Sequence, residues 1–437
     1  MRLPRRALTL LAVTTATSLI FLPAPVVSAQ SSSSSLSSLS SSNSGNATAP
    51  TPVEKVPGTP IEMPGDIIVQ IMGDVLGRGY SDHVGFRAGD LGIMTPLANG
   101  EEFAIIFGDS FRGDTMGAGE WMSPVGVVAK MVDGFVQIIR PLNAGERVNP
   151  LIRYYRAEGD NLTLIPSDVI NIDGTLYMQG MWNRGIGNVL STEIWSSTDN
   201  GQTWKSLGTT SASYMSGMGN LISWERGADG YIYVVSSSFK RDHAVYLSRF
   251  RLEDIGNRKA WQVFDAATGT WGTTGTPILA RGIQAGEMNL RYIEGHWVLV
   301  MFNEETLQIE VRISPTLAQN WDSVPVAVVA KHGSWANPQT PDNFSQPYGG
   351  YIVPGSTLAN MDIVISQWNT STHQRYNSTQ FNVKGLDRFY GITPNSRFVT
   401  RSAPLDEAAL DVTEVPATVT ADQLAEDALL TSEVTPR

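Results

Sequence analysis

Residues 195–204 read Trp195-Ser-Ser-Thr-Asp-Asn-Gly-Gln-Thr-Trp204, which is the spacing of an Asp-box, a tight turn between two strands. In such a turn Asp199 and its neighbour Asn200 bond the backbone, Gly201 adopts a positive φ, and the final tryptophan returns to the core. Because the spacing fits a hairpin turn, we interpret Asp199 as structural rather than catalytic. The stretch therefore predicts a fold built from repeated hairpins.

The same spacing from serine to tryptophan recurs further along the chain. One repeat is Ser314-Pro-Thr-Leu-Ala-Gln-Asn-Trp321, and Trp261 ends a third unit after a longer excursion. These tryptophans lie about 60 residues apart, which is typical of propeller blades with several strands each. Short apolar runs bounded by Gly, Asn, Asp and Pro fill the surrounding sequence. We predict an all-β, five-bladed β-propeller, with a six-bladed, sialidase-like propeller as the alternative.

Composition divides the chain into four segments. Residues 1–29 combine basic residues, an apolar stretch and a small-residue cleavage site, which predicts a secretory signal peptide, with an uncleaved anchor as the alternative. Residues 30–63 are rich in Ser and Pro and predict a disordered linker. We expect residues 64–400 to form a propeller that is the catalytic domain, and residues 401–437 to be an acidic, flexible tail. We therefore expect an extracytoplasmic protein, secreted or held in the cell wall.

The overall composition narrows the chemistry. The chain has no cysteine, which excludes disulfides, thiolate metal sites, cysteine nucleophiles and a lipoprotein anchor. Its five histidines show no metal-binding spacing, so we expect no metal among the site residues and no cofactor, and a structural Ca²⁺ stays open at this point. A net charge of −11 argues against nucleic acid and against anionic membrane surfaces as partners. We expect a monomer that acts on a neutral or weakly charged substrate through carboxylates, hydroxyls or amides.

Two aspartates are the leading catalytic candidates. Asp109 follows Gly108 at the end of an apolar run, and Asp90 lies between glycines 19 residues earlier. That separation suits neighbouring strands of one blade. Paired carboxylates are what glycoside hydrolysis requires, because one protonates the leaving oxygen while the other attacks the anomeric carbon or activates water. The alternative reading is that each aspartate only forms a turn.

Other residues are candidates for substrate binding. Glu287 opens a strand and is placed to orient a sugar hydroxyl, although a pair with Arg291 or Arg281 is the alternative. Several aromatic residues lie near Gly, Asn or Pro, as stacking residues on loops do, and core packing is the alternative for each. The predicted substrate-binding residues are Glu287, Asn289, Trp182, Trp121, Tyr348 and Trp368.

An ordered set of short motifs resembles the endo-D-arabinanases of glycoside hydrolase family 183, formerly a domain of unknown function. The motifs include Gly89-Asp-Leu-Gly-Ile93, Phe107-Gly-Asp-Ser-Phe111, Gly286-Glu-Met-Asn289, Tyr348-Gly-Gly-Tyr-Ile-Val-Pro354 and Ser366-Gln-Trp-Asn369. The resemblance implies a five-bladed propeller that cleaves α-D-arabinofuranosyl linkages in the arabinan of arabinogalactan and lipoarabinomannan. It also implies that the essential carboxylates are Asp90 and Asp109.

Two other functions remain open at this point. A non-catalytic, glycan-binding or wall-organising propeller would share the fold and the aromatic residues, and would need no paired acids. A sialidase-like glycosidase is suggested by the Asp-box, but it would need a cluster of arginines for the carboxylate of its substrate. The arginines of this sequence form no recognisable set of that kind.

Overall fold

The structure is a computed structural model that describes residues 54–392. The predicted signal peptide, most of the predicted linker and the predicted acidic tail lie outside these residues. The described chain forms strands β1 (Ile61–Met63) and β2 (Ile67–Asp74) before the first complete sheet. Strand β1 lies inside the segment predicted as a disordered linker. Residues 61–63 are ordered instead, because the strand pairs with β2 and Met63 is buried.

Four sheets follow in chain order, and we call them blades 1 to 4. Blade 1 contains β3 (Ala88–Pro96), β4 (Phe103–Phe111), β5 (Trp121–Met122), β6 (Val125–Val132) and β7 (Phe135–Pro141). Blade 2 contains β8 (Leu162–Ile172), β9 (Thr175–Arg184), β10 (Val189–Ser197) and β11 (Lys205–Ser211). Blade 3 contains β12 (Leu221–Arg226), β13 (Tyr231–Ser237), β14 (Tyr246–Arg251), β15 (Gln262–Asp265) and β16 (Thr270–Gly272). Blade 4 contains β17 (Ala285–Ile293), β18 (His296–Asn303), β19 (Gln308–Ser314) and β20 (Ala327–Lys331).

The fifth blade joins both ends of the described chain. Strands β21 (Pro347–Ile352), β22 (Asn360–Trp368) and β23 (Tyr376–Lys384) pair in order, and β2 then pairs with β23. This pairing closes the ring and covers strand edges that would otherwise stay open. Short helical turns connect or follow the strands: Asp82–Val84, Tyr214–Gly217, Leu252–Asp254, Arg258–Ala260 and α1 (Leu386–Phe389).

The innermost strands of the five blades, β3, β8, β12, β17 and β21, contact one another in cyclic order. The prediction of an all-β, five-bladed propeller is therefore confirmed, and the six-bladed alternative is wrong. Apolar side chains fill the spaces between blades. The largest of the fully buried ones are Trp224, Trp321, Tyr351, Phe86 and Phe107.

The repeated tryptophans occupy equivalent places in three blades. Trp204 immediately precedes β11, Trp261 immediately precedes β15, and Trp321 lies on the connection into β20. Each therefore comes before the fourth strand of its blade. The indole nitrogens donate to nearby backbone carbonyls, at 2.9 to 3.0 Å. The repeat seen in the sequence thus marks one recurring turn of the blade.

The hydrogen bonds of the Asp-box explain its composition. Asp199 accepts from the Ser197 hydroxyl at 2.7 Å and from the Thr203 amide at 2.9 Å. Gly201 has φ +86°, and its amide donates to the Ser197 hydroxyl at 2.8 Å. These bonds commit the Asp199 carboxylate to the turn.

A charged cluster lies well inside the ring, and we call it the Asp168–Arg291 node. Asp168 is fully buried on β8 and accepts hydrogen bonds from both terminal nitrogens of Arg291, at 3.0 and 3.1 Å. It also accepts from the Ser223 hydroxyl and from the Trp224 amide. Arg291 further donates to the Met94 carbonyl at 2.9 Å. The node thereby ties blades 1 to 4 together at their inner strands.

Candidate active site

A pocket of about 490 Å³ opens at the end of the ring where the inner strands begin. All five blades contribute side chains to its lining. Five of the residues predicted from sequence line this pocket: Asp90, Asp109, Glu287, Tyr348 and Trp368. The structure therefore brings the two candidate aspartates together with three of the candidate binding residues.

A β-bulge presents Asp90 to the pocket. In the pairing of β3 with β4, Gly89 faces Ser110 and Leu91 faces Phe107, so Asp90 stands opposite two residues of the partner strand. Bulges of this kind redirect a side chain and are frequent next to active sites. One of the two opposing residues is Gly108, where an added Cβ would lie 2.6 Å from Asp90 Oδ1. The glycine before Asp109 is thus required by the close approach of the Asp90 carboxyl.

The backbone after Asp90 is held by blade 5. Leu91 has φ +65°, a conformation that non-glycine residues rarely adopt. Its amide donates to the Ser366 hydroxyl at 2.8 Å, and its carbonyl accepts from the Ser378 hydroxyl at 2.9 Å. Two serines of the last blade therefore fix the bulge that carries Asp90.

The Asp90 carboxyl is poorly stabilised as an anion. Tyr348 donates its hydroxyl to Oδ2 at 3.0 Å, whereas Oδ1 is buried and has no hydrogen-bond partner within residues 54–392. Burial, together with the negative charge of Asp109 and a smaller effect of Glu287, raises the pKa of Asp90 to about 8. The hydroxyls of Tyr376 and Tyr348 act in the opposite direction. Asp90 therefore keeps its proton at neutral pH.

Asp109 has a more polar setting in the same pocket. Its Oδ1 accepts hydrogen bonds from the Trp121 indole at 3.0 Å and from the Thr163 hydroxyl at 3.1 Å. Burial raises the pKa of Asp109, while these donors and the positive charge of Arg156 oppose that shift. The Arg156 guanidinium lies 4.0 Å from the centroid of the Trp121 ring. The two aspartates thus differ in how well their surroundings support a negative charge.

Glu287 is paired, but not with the arginines that the sequence suggested. It is 4% exposed, and its Oε1 lies 2.6 Å from Arg241 Nη2. Arg291 is four residues further along the same strand and binds Asp168 instead. Side chains four apart on a strand point the same way but are too far apart along the strand to meet easily. The alternative of a pair with Arg291 or Arg281 is therefore wrong.

Three predicted binding residues lie outside the pocket lining. Asn289 is fully buried and accepts from the Ile352 amide at 3.0 Å, which joins blades 4 and 5. Trp182 packs against Tyr154 and donates to Glu193 at 2.8 Å. Trp121 is bound to Asp109 rather than presented to the pocket as a stacking surface. The binding roles of these three residues stay predictions, and each side chain already has a packing or hydrogen-bond partner in the ring.

Arg241 and Tyr376 are pocket residues that the sequence reasoning missed. Tyr376 begins β23, far from Asp90 in sequence, and Arg241 lies on the loop after β13. Neither residue has a spacing or a motif that marks it. Both are brought to the site by ring closure and by the arrangement of blades, so the sequence carries no local signal for them.

Within residues 54–392, no group of three or more His, Asp or Glu side chains is arranged to hold a metal ion. None of the helices in this part of the chain has the length and apolar character needed to cross a membrane.

Comparisons with known proteins agree with this fold. An uncharacterized 35.9 kDa protein of Mycolicibacterium smegmatis is 29% identical over 321 residues, which are 67% of this chain and 92% of that protein. The solved structure of a candidate hydrolase from Bacteroides ovatus is similar with a TM-score of 0.55 at 13% identity, over 78% of this chain and 94% of that chain. An α-L-arabinofuranosidase from Podospora anserina has a TM-score of 0.41 at 12% identity, over 72% of this chain and 95% of that one. The family model described as "Domain of unknown function (DUF4185)" matches residues 78–382, and the chain therefore belongs to the DUF4185 family.

Proposed function

We propose that this protein is a glycoside hydrolase in which Asp90 and Asp109 are the two catalytic carboxyl groups. The observation that carries the proposal is the shared pocket, in which Asp90 has a pKa of about 8 beside a second carboxyl that is better supplied with hydrogen-bond donors. Two carboxyl groups whose surroundings separate their pKa values are the usual equipment for acid and base roles in one site.

The different surroundings assign the two roles. Asp90, which holds its proton, donates it to the glycosidic oxygen as the bond to the anomeric carbon breaks. Asp109 is the ionised partner, which either attacks the anomeric carbon or removes a proton from the attacking water. In both cases one water is consumed. When Asp109 attacks the anomeric carbon, Asp90 regains its proton from the water that hydrolyses the glycosyl–enzyme ester, so both carboxyls end as they began. When Asp109 removes a proton from the attacking water, Asp109 ends protonated and Asp90 ionised, and exchange of one proton with solvent restores both. The anomeric configuration of the first product, read by NMR, separates the two roles of Asp109.

The proposed substrate is the D-arabinan of arabinogalactan and lipoarabinomannan, cut at internal α-D-arabinofuranosyl linkages. The ordered motifs that resemble endo-D-arabinanases support this choice, because the segments containing Asp90, Asp109, Glu287, Tyr348 and Trp368 all line the pocket. Trp368 lines the pocket and offers an aromatic surface for a sugar ring. We place this activity outside the cytoplasmic membrane, with a monomer as the active form.

A sialidase-like activity is less well supported. Among the described residues that line the pocket, Arg241 is the single arginine, and Glu287 already binds it. A substrate carboxylate would require free guanidinium groups at this position.

Incubation with purified arabinogalactan, followed by analysis of released oligosaccharides, tests the proposal. The wild-type protein should release arabino-oligosaccharides, and Asp109→Asn should lower the rate by about 10³-fold while the protein stays folded. Asp173→Asn is the matched control, because Asp173 lies on an exposed turn and pairs only with Arg226 at the surface. It should leave the rate unchanged.

Two outcomes would overturn the proposal. If Asp109→Asn releases oligosaccharides at the wild-type rate, the catalytic assignment fails. If the wild-type protein retains arabinan on a pull-down but produces no new reducing ends over a long incubation, the protein is a glycan-binding propeller instead.

A further inference from the structure

Arg241 enters the pocket from a strained loop. It follows β13 and has φ +55°, a conformation that residues with a side chain adopt only where the surroundings enforce it. The Ser238 hydroxyl donates to the Asp242 carboxylate at 2.8 Å within the loop, and the Ala285 amide donates to the His243 carbonyl at 2.8 Å. The second bond registers the loop on β17, the strand that carries Glu287. The loop conformation and its hydrogen bonds therefore fix the Arg241 side chain in the pocket.

The guanidinium of Arg241 makes three kinds of contact there. Its Nη2 lies 2.6 Å from Glu287 Oε1, and its Nη1 lies 3.8 Å from Glu304 Oε2. It also lies 5.2 Å from the ring centroids of both Phe302 and Tyr348. One of these rings is important for the acid pair, because the Tyr348 hydroxyl donates to Asp90.

Arg241 is thus connected to Asp90 by two routes. The first is electrostatic, since Glu287 carries a negative charge that acts on Asp90 and that Arg241 neutralises. The second is steric, since the guanidinium covers the ring of Tyr348. The titratable groups that act on Asp90 come from four strands: Asp109 on β4, Glu287 on β17, Tyr348 on β21 and Tyr376 on β23. Apart from Arg241, the only basic side chain lining the described pocket is His332.

We infer that Arg241 is a positioning residue for the acid pair, which neutralises Glu287 and packs on Tyr348 so that Asp90 can release its proton to the substrate. This inference rests on the proposed function. Without the guanidinium, an unneutralised Glu287 joins Asp109 in opposing ionisation of Asp90. Asp90 then holds its proton too tightly for an efficient acid, because proton transfer works best when the pKa of the acid lies near the working pH.

The pH profile of kcat/KM tests this role. Loss of activity at high pH reports ionisation of Asp90, and Arg241→Met should move that limb upward by about one pH unit. Arg241→Lys keeps the charge and should return the limb toward its wild-type position. Glu287→Gln removes the negative charge while Arg241 stays, so it should move the limb in the opposite direction, to lower pH.

Two controls separate this role from a merely structural one. The double variant Arg241→Met with Glu287→Gln removes both charges and should bring the limb back near the wild-type pH. Arg251→Met removes a guanidinium that lies 3.6 Å from the Tyr231 ring centroid and does not line the pocket, and it should leave the profile unchanged. If Arg241→Met lowers kcat/KM without moving the limb, the inference is wrong.

A second readout does not depend on turnover. Protein labelled with ¹³C at the aspartate carboxyls should show an Asp90 signal, assigned by its loss in Asp90→Asn, that titrates at higher pH in Arg241→Met and at lower pH in Glu287→Gln. If wild-type protein cleaves no arabinan, the proposed function fails while this titration still tests the link from Arg241 to Asp90. Identical titrations in the wild type and both variants would overturn the inference, and Glu287→Gln alone decides if Arg241→Met does not fold.

Discussion

Two aspartates of the inner strands, Asp168 and Asp90, have opposite surroundings. Asp168 is fully buried and bound by Arg291 through both terminal nitrogens, with further donors from blade 3. In the described part of the chain, Asp90 forms no ion pair and its Oδ1 has no hydrogen-bond partner, and it shares its pocket with Asp109. One ring thus holds the same residue type in two settings: a neutralised carboxylate that joins blades, and a poorly stabilised carboxyl in the pocket that we propose as the catalytic site.

The two aspartates also differ in how their ionisation affects the stability of the fold. A carboxylate that is neutralised and fully bonded holds several blades together, whereas a carboxyl that lacks these partners opposes folding when it ionises. The site proposed for catalysis is thus assembled at an energetic cost that the rest of the ring must offset. Three variants test this difference between the two aspartates.

The largest effect is expected at the Asp168–Arg291 node. Arg291→Met leaves Asp168 buried without a cation, so the free energy of unfolding should fall by about 3–5 kcal/mol. Urea unfolding measures the change. Arg226→Met is the matched control, because its partner Asp173 is exposed at the surface. That control should cost less than about 1 kcal/mol. An equally small loss for Arg291→Met would show that the node does not hold the blades together.

Asp90→Asn should change stability in the opposite direction. The pKa of Asp90 is raised from 3.8 to about 8, so the folded protein holds this proton more tightly than the unfolded chain does. The wild type therefore loses stability as pH rises from about 4 to about 8, and the variant lacks this loss. The variant should therefore be the more stable protein at pH 9, where the difference is largest, and below pH 4 the difference should vanish.

Thermal unfolding of both proteins across this pH range measures the effect of Asp90. Asp173→Asn, at its exposed turn, serves as the control and should follow the wild-type curve. A constant difference in Tm between wild type and Asp90→Asn at every pH would contradict the raised pKa.

The smallest effect is expected at the serine that holds the bulge. Ser366→Ala removes the acceptor of the Leu91 amide, which should lower the free energy of unfolding by about 1 kcal/mol and kcat by about tenfold with little change in KM. Ser356→Ala is the matched control, because Ser356 makes two comparable backbone bonds, to Val353 and from Asp362, away from the pocket. It should cost similar stability and leave kcat unchanged. Equal kcat values for the two variants would show that the bond from Leu91 to Ser366 does not affect turnover.

Local features of this protein could be predicted from the sequence. The Asp-box and its repeats predicted the blades, because each turn is determined by residues within a few positions of one another. Asp90 and Asp109 share a pocket as expected, since they lie on paired strands of one blade. These interactions join residues that are close in the sequence, so the sequence alone predicts them.

Long-range contacts could not be predicted in this way. Glu287 has arginines close to it in sequence, yet its partner is Arg241, which another blade delivers on a strained loop. Asn289 and Trp182, whose positions in the sequence suggested a binding role, lie outside the pocket lining and bond Ile352 and Glu193. Side-chain packing between blades determines where such residues point, and one sequence does not reveal which surfaces meet.

The residues that hold the bulge of Asp90 and bond its carboxyl lie late in the chain. Tyr348, Ser366 and Ser378 are 258, 275 and 287 residues away from the residues of the bulge that they contact. A growing chain therefore contains both carboxyls long before it contains the groups that tune them, and ring closure needs β23 to pair with β2. Contacts of such long range form slowly and late in folding. Assembly of the proposed site is thus coupled to completion of the ring: a nascent or prematurely ended chain that lacks β23 has both aspartates but not all of the groups that surround Asp90.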